Sequence, residues 1–124
     1  TGKNVEGAQI QVGKAGGKGI GPMEAVLVAL AACTGDDILS IMNKKRQPLT
    51  SLQINARGLR ADTTPSPFVE IQLEFIFSGE HLVEKDLAQA IQLSEEKYCS
   101  VGAMLSKAAK IHTSFKILPN GSEV

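Results

Sequence analysis

Two cysteines, Cys33 and Cys99, are the side chains of this 124-residue chain best suited to covalent chemistry. Secreted domains of this size that depend on disulfides usually carry four or more cysteines, so a single pair favours the reducing cytoplasm. In that compartment two cysteines serve either as buried packing or as redox groups. Their spacing does not show whether the Cα atoms come within the roughly 7 Å that a disulfide requires, so both interpretations stay open.

The surroundings of Cys33 in the sequence are apolar on one side and acidic on the other. It ends a nine-residue apolar run that begins at Ala25, and Asp36 and Asp37 follow it. Apolar surroundings raise the pKa of a thiol unless a cation lies nearby. Residues 23–43 include no Lys or Arg. An activating cation would therefore have to come from elsewhere in the fold.

Cys99 lies just before a predicted helix start, with Ser100 as the predicted N-cap. Unpaired N–H groups and the helix dipole stabilise a thiolate at such a position. The predicted helix start therefore favours Cys99 as the more acidic of the two thiols. Packing beside Tyr98 is the simpler alternative role for it.

The sequence predicts neither a metal site nor a cofactor site. A structural zinc site needs four ligands, and neither His81 nor His112 lies at ligand spacing from a cysteine. We therefore predict that His81 is a loop residue and that His112 lies at a strand end. The glycine-rich stretch 13–21 lacks the Lys-Ser/Thr end of a phosphate-binding loop and the G-x-G-x-x-G spacing of a dinucleotide turn, which favours a flexible connector.

Composition argues against several function classes. Lys plus Arg and Asp plus Glu each number 13, so the formal net charge is zero, which argues against a nucleic-acid or anionic-membrane surface. The apolar run is about half as long as a membrane-spanning helix, and no signal peptide opens the chain. We expect one domain over residues 1–124, with some sequence missing upstream of Thr1 because the chain begins without methionine.

Hydrophobic periodicity predicts an α+β domain with the order β-α-β-β-α-(α)-β. The predicted elements are a weak strand Val5–Val12, a helix from Pro22 to about Lys45, a hairpin with strands near Leu52 and Val69, a helix from about Val83, a helix from Ser100 to about Lys110, and a strand Ile111–Leu118. This order alone suggests a ferredoxin-like sandwich with its helices on one face of the sheet.

The same periodicity predicts which faces are buried. One face of the hairpin is apolar and alternates with polar residues, which predicts burial of Val69, Ile71, Leu73, Phe75 and Phe77. One side of the helix that follows is apolar at spacings of four and seven, which predicts burial of Val83, Leu87, Ile91 and Tyr98.

The first helix is apolar on all sides over AVLVALAAC (25–33), whereas a helix that packs on a sheet should have a polar, solvent-exposed face. No other element of so short a chain could cover it completely, which predicts a homodimer with these helices buried at its centre. A wholly buried strand is the alternative for nine apolar residues, but the four alanines favour a helix.

Two segments resemble the signatures of the OsmC family, the osmotically induced protein C and organic hydroperoxide resistance group. The first comprises Gly21–Leu27 (GPMEAVL) and Leu30–Cys33 (LAAC), and the second is Glu96–Val101 (EKYCSV). The likeness extends over about residues 9–118 and is greatest to the small OsmC-like branch. It implies an intertwined α+β homodimer with antiparallel sheets and buried central helices.

The resemblance also implies a reaction. The studied members of the family are thiol peroxidases that reduce organic hydroperoxides and are recycled by dithiols, which are lipoyl groups in some of them. By motif position, Cys33 would be the peroxidatic thiolate and Cys99 the resolving thiol that forms a disulfide with it. Neither a metal nor a cofactor is implied. The alternative is a non-catalytic dimer of the same fold that binds a small apolar ligand, with both cysteines as packing.

One part of the family pattern is displaced in this chain. The family places a glutamate directly after the signature proline, where it orients an activating arginine from the N-terminal region. Here Met23 follows Pro22 and the glutamate is Glu24, while no arginine precedes Arg46. One residue on a helix is a rotation of about 100°, so Glu24 is a site candidate at a shifted position.

Overall fold

A computed structural model describes residues 2–3, 9–10 and 19–119 of the chain. Two short strands, β1 and β2, pair antiparallel near the N-terminus, and a long helix, α1, follows. The elements are β1 (Gly2–Lys3), β2 (Gln9–Ile10), α1 (Pro22–Lys44), β3 (Ser51–Arg60), β4 (Phe68–Ser78), α2 (Glu84–Leu93), a π-helical turn (Ser94–Tyr98), α3 (Ser100–Leu105) and β5 (Lys110–Leu118). Of the predicted strand Val5–Val12, only β2 lies within the described residues, and most of the glycine-rich connector lies outside them.

The larger sheet has the strand order β3-β4-β5 and is mixed rather than antiparallel. β3 and β4 form the predicted antiparallel hairpin, but β5 runs parallel to β4. A parallel neighbour requires a long crossover, and here the chain from α2 to α3 supplies it. The expectation of antiparallel sheets was therefore wrong for β5. The ferredoxin-like sandwich was wrong as well, because the described sheet that α1 packs against has three strands.

The inward face of β4 confirms the predicted alternation over most of its length. Ile71, Leu73, Phe75 and Phe77 are at most 1% exposed. Val69 is 40% exposed, because the pairing steps from Leu59↔Glu70 to Arg60↔Phe68 and leaves Val69 as an extra residue in the bulge. Phe68 is buried in its place, with its ring against Gly58.

Helix α1 confirms the helical interpretation of the apolar run and is the central element of the core. It packs against β3, α2 and α3 through buried residues at helical spacing, which are Leu30, Thr34, Gly35, Ile38 and Met42. Gly35 allows the closest approach to the hairpin, because an added Cβ would lie 3.1 Å from Ile54 Cδ1. By length and composition α1 could also cross a membrane, a property that core helices share.

The other side of α1 is exposed in the single chain and largely apolar. Val28 is 57% exposed and Leu39 is 39% exposed, and Ala29 and Ala32 lie on the same side. Helices bury such a surface against another element or another chain. Within the described residues, nothing covers it.

The second helix follows the prediction only in its centre. Leu87 and Ile91 are buried, but Val83 is 47% exposed and Tyr98 is 57% exposed. Val83 precedes the first turn of α2, and the π-helical turn alters the spacing beyond residue 93. As a result Ser94 is fully buried and Tyr98 points to solvent.

Candidate functional site

The fold brings Cys33 and Cys99 together although 65 residues separate them in the sequence. Cys33 lies on α1 and is half-buried, whereas Cys99 precedes α3 and is 4% exposed. Their sulfur atoms lie within 4.8 Å of each other, and both thiols are free. The two predicted site residues therefore form one cysteine pair, close enough for a disulfide to form after a small movement.

Local structure around the π-helical turn positions Cys99. Its backbone N–H donates a hydrogen bond to the Ser94 carbonyl at 2.8 Å. Cys99 is itself the N-cap of α3, because its sulfur accepts a hydrogen bond from the Gly102 N–H at 3.2 Å. The prediction of Ser100 as the N-cap was therefore wrong by one residue. Gly102 permits this contact, because an added Cβ would lie 3.2 Å from the Cys99 sulfur and 3.6 Å from Leu30 Cδ1.

The environment of Cys99 favours its protonated form. Burial raises the pKa of the Cys99 thiol, and the neighbouring Cys33 raises it further, whereas hydrogen bonds from Thr34 and Gly102 lower it by less. Thr34 Oγ1 lies 3.5 Å from the sulfur. The helix start was expected to acidify this thiol, but here desolvation outweighs the hydrogen bond from Gly102.

A carboxylate accompanies the cysteine pair. Asp37 follows Cys33 by one turn of α1, and one of its oxygens lies within 4.8 Å of both sulfur atoms. Ser94 Oγ donates a hydrogen bond to Asp37 Oδ2 at 2.8 Å, and Ser94 is fully buried. From the sequence, Asp37 was recognised only as a neighbour of Cys33, although its i,i+4 spacing indicates that both residues share one face of the helix.

Glu24 lies away from this cluster. It belongs to the first turn of α1, and its Oε1 accepts a hydrogen bond from the Gly21 N–H at 3.1 Å. Glu24 and Cys33 are nine positions apart on the helix, which is about 13 Å along the axis. Within one chain, the structure does not bring Glu24 to the cysteine pair.

The three arginines also lie elsewhere. Arg46 follows the end of α1, about 20 Å along its axis from Cys33. Arg60 donates a hydrogen bond to the Ser66 carbonyl, and Arg57 lines a polar depression on the sheet with Gln72. Neither histidine is close to the cysteine pair: His81 lies in a turn, and His112 lies on β5, 3.7 Å from Glu70.

Two cavities adjoin this cluster, one beside Cys99 and the other beside Asp37. A cavity of about 230 Å³ opens beside Cys99 and has mainly apolar walls, formed by Leu30, Thr34, Leu73, Glu95, Cys99 and Ile111. Burial raises the pKa of Glu95 in its wall, and the adjacent Glu96 raises it further. A second cavity of about 360 Å³ lies beside Asp37, with Lys44, Lys45 and Tyr98 among its lining residues. The larger volume falls within the range typical of small-molecule sites, and the smaller volume lies just below that range.

Comparison with known proteins places this chain in a family. The sequence model described as OsmC-like protein matches residues 15–114. Protein YhfA of Escherichia coli K12 is 38% identical over 118 residues, which cover 94% of this chain and 88% of YhfA. A hypothetical protein from Aquifex aeolicus VF5 has a similar structure, with a TM-score of 0.85 and 36% identity over 95% of this chain and 86% of that chain.

A more distant structural neighbour carries a functional description. It is a Legionella pneumophila protein described as an organic hydroperoxide resistance protein OsmC, with a TM-score of 0.65 and 15% identity over 81% of this chain and 72% of that chain. At that identity the likeness shows a shared fold. On the match over residues 15–114 and the identity to YhfA, this chain belongs to the OsmC family.

Proposed function

We propose that this protein is a thiol-dependent peroxidase that reduces organic hydroperoxides through Cys33 and Cys99. The observation that carries the proposal is the approach of the two sulfur atoms to within 4.8 Å in an OsmC-family chain. Buried cysteines that serve only as packing have no need to meet. A pair at this distance can alternate between two thiols and a disulfide.

The difference in exposure supports the division of roles. Cys33 is half-buried and can meet a substrate, whereas Cys99 is 4% exposed and has a raised pKa. The Cys33 thiolate attacks the terminal peroxide oxygen and the O–O bond breaks. The leaving alkoxide takes a proton and departs as an alcohol, while Cys33 becomes a sulfenic acid.

The second step consumes the thiol of Cys99. Its sulfur attacks the Cys33 sulfenic acid, a disulfide forms, and the hydroxyl leaves as water after gaining a proton. The Cys99 thiol gives up its proton in this step, and the Asp37 carboxylate within 4.8 Å is positioned to accept it. A dithiol reductant, such as a lipoyl group, then restores both thiols by exchange.

The surroundings support an apolar hydroperoxide and a dimeric enzyme. The cavity beside Cys99 has apolar walls that suit an alkyl or aryl group. A second copy of the chain would cover the exposed apolar side of α1 that includes Val28 and Leu39. Glu24 would belong to the site only through that dimer, because it lies far from Cys33 of its own chain. The two free thiols suit the reducing cytoplasm.

The experiment follows consumption of cumene hydroperoxide with a dithiol as the reductant. We expect turnover by the wild type and loss of turnover in Cys33→Ser. Reduced Cys99→Ser, assayed without the dithiol, should reduce one equivalent of peroxide and stop at the sulfenic acid. Equal and negligible rates for the wild type and Cys33→Ser would overturn the proposal.

A non-catalytic dimer that binds a small apolar ligand is the second candidate function. Two observations favour it: the apolar cavity of about 230 Å³, and the placement of Arg46, Arg57 and Arg60 away from the thiols. Such a module would bind a fluorescent fatty acid saturably, and binding would survive loss of either cysteine. Peroxidase turnover that depends on Cys33 would exclude this candidate as the main function.

A further inference from the structure

We infer that the reduced cysteine pair and Asp37 form a binding site for one thiophilic divalent cation such as Zn²⁺. Three potential ligand atoms, the sulfurs of Cys33 and Cys99 and one carboxylate oxygen of Asp37, all lie within 4.8 Å of one another. Two of these residues lie one turn apart on α1, and the third is the N-cap of α3. The ligands therefore come from two packed elements rather than from a flexible loop.

The spacing matches a tetrahedral zinc centre. Zinc–sulfur bonds of about 2.3 Å at tetrahedral angles place two thiolates about 3.8 Å apart, and a carboxylate oxygen at about 2.0 Å lies slightly closer to each. The cluster lies within 4.8 Å before any ion enters, so binding needs ligand movements of about 1 Å or less. Thiolate and carboxylate ligands in this combination select zinc over magnesium and calcium.

The residues around the three ligands already orient them. Ser94 donates to Asp37 Oδ2, which leaves Oδ1 with its lone pairs available for an ion. The sulfur of Cys99 contacts the Gly102 N–H and the Thr34 hydroxyl, both of which stabilise sulfur when it carries negative charge. Such outer contacts orient the ligands of protein metal sites and tune their affinity.

The charge of the site also favours a cation. With both sulfurs coordinated as thiolates, the three ligands carry three negative charges. No ion pair to Asp37 from Lys, Arg or His is present among residues 19–119, and Lys45, in the wall of the adjoining cavity, contacts Asp86 at 3.5 Å and also Gln89. A divalent ion would neutralise two of the charges and would deprotonate the buried thiol on binding.

Three protein ligands leave one position of a tetrahedral ion open. The sequence offered no fourth ligand, which argued against a structural zinc site, but an open site requires only three. The cavity beside Cys99 provides space for a water molecule or a small ligand at the fourth position. Binding of an ion by these three residues does not depend on peroxidase activity. The ion and the disulfide use the same sulfur atoms, so the ion binds only the reduced protein.

The test uses the full chain, reduced and then freed of reductant without oxygen. Titration with Co²⁺ should give one equivalent per chain, with the near-ultraviolet sulfur-to-cobalt charge-transfer band and the strong visible bands of a tetrahedral ion. Zn²⁺ should displace Co²⁺ and abolish both. After oxidation to the disulfide, both bands should be absent.

Two aspartates on adjacent positions of α1 provide a matched pair of variants. Asp37→Asn should weaken Zn²⁺ binding, measured by competition with a chromophoric chelator, by about 100-fold or more, because loss of a direct ligand costs more than the loss of an outer contact. Asp36→Asn should bind like the wild type, because Asp36 is exposed and outside the cluster. Equal affinities in these two variants would overturn the three-ligand site, as would the absence of a charge-transfer band in the reduced wild type.

A measurement on the unmodified protein covers the case in which a variant fails to fold. Zn²⁺ at one equivalent should slow alkylation of Cys33 in the folded wild type by at least about tenfold, read by mass spectrometry of the peptides. An unchanged alkylation rate at saturating Zn²⁺ would also overturn the inference.

Discussion

Ser94 Oγ donates a hydrogen bond of 2.8 Å to Asp37 Oδ2, and this contact joins the π-helical turn to α1 beside the cysteine pair. The residues are 57 apart in the sequence, and Ser94 is fully buried. The same turn supplies the Ser94 carbonyl that accepts the Cys99 N–H. One buried serine thus positions both the carboxylate and the second thiol.

Removal of that hydroxyl should cost stability. In Ser94→Ala, the Asp37 carboxylate loses a partly buried hydrogen bond, and we expect a loss of about 1.5–3 kcal/mol in the free energy of unfolding. Urea denaturation of the reduced protein measures it. Ser106→Ala is the control, because Ser106 is exposed and donates only to the Ala103 carbonyl one turn earlier. A loss no larger than that of the control would contradict this prediction.

Asp37→Asn should slow formation of the disulfide after the first peroxide reaction. An amide accepts no proton from Cys99, so we expect the rate of this step to fall by about 100-fold or more at neutral pH. Stopped-flow mixing of reduced protein with one equivalent of hydroperoxide, followed by mass spectrometry, separates sulfenic acid from disulfide. Asp36→Asn should form the disulfide at the wild-type rate. If Asp37→Asn forms it at the same rate as Asp36→Asn, Asp37 takes no part in this step.

Gly102→Ala should disturb the position of Cys99. An added Cβ meets the Cys99 sulfur at 3.2 Å and Leu30 at 3.6 Å, so the sulfur must shift, and we expect a loss of about 1–3 kcal/mol in stability together with slower disulfide formation. Gly58→Ala provides the contrast, because its Cβ would lie 2.2 Å from the Phe68 ring, on the hairpin. Gly58→Ala should destabilise the protein without changing the rate at which the folded molecules form the disulfide. Slower disulfide formation in both variants would contradict a local effect.

The reactivity of Cys99 should depend on pH in a direction set by its raised pKa. Burial favours the neutral thiol, so at any pH near its ordinary pKa the folded protein holds less Cys99 thiolate than the unfolded chain does. The contribution of this thiol to stability is complete below the unfolded pKa and is lost as pH rises through the folded value. The alkylation rate of Cys99, measured at peptide resolution between neutral and alkaline pH with and without urea, gives the titration of this thiol in the folded and the unfolded protein. A lower midpoint pH in the folded protein than in the unfolded chain would contradict the prediction.

Val28→Asp should separate the proposed dimer. Val28 is 57% exposed on the apolar side of α1, and a carboxylate there would be buried without a partner when a second copy covers that side. We expect light scattering after size exclusion to show a dimer for the wild type and a monomer for this variant. Val83→Asp is the matched control, because Val83 is 47% exposed before α2. If both variants remain dimeric, the interface does not include the apolar side of α1 around Val28.

Much of the fold could be predicted from local patterns. The apolar run with its alanines predicted α1, and alternation predicted the hairpin, because both features depend on residues close together in the chain. The errors have local causes as well. The bulge at Val69 and the π-helical turn at Ser94–Tyr98 each change the register of a periodic pattern, which periodicity alone does not reveal.

The sequence by itself determined the two cysteines, the acidic residues after Cys33, the helix that carries them, and the likeness to the OsmC family. Tertiary structure decided that the two sulfurs meet, that Asp37 joins them, and that Glu24 stays about 13 Å along the helix from Cys33. The physical reason is the crossover after β4, which returns the chain over α1 and sets Cys99 beside Cys33. Spacing along a helix follows directly from the positions of residues in the sequence, whereas the approach of two distant segments depends on how the whole core packs.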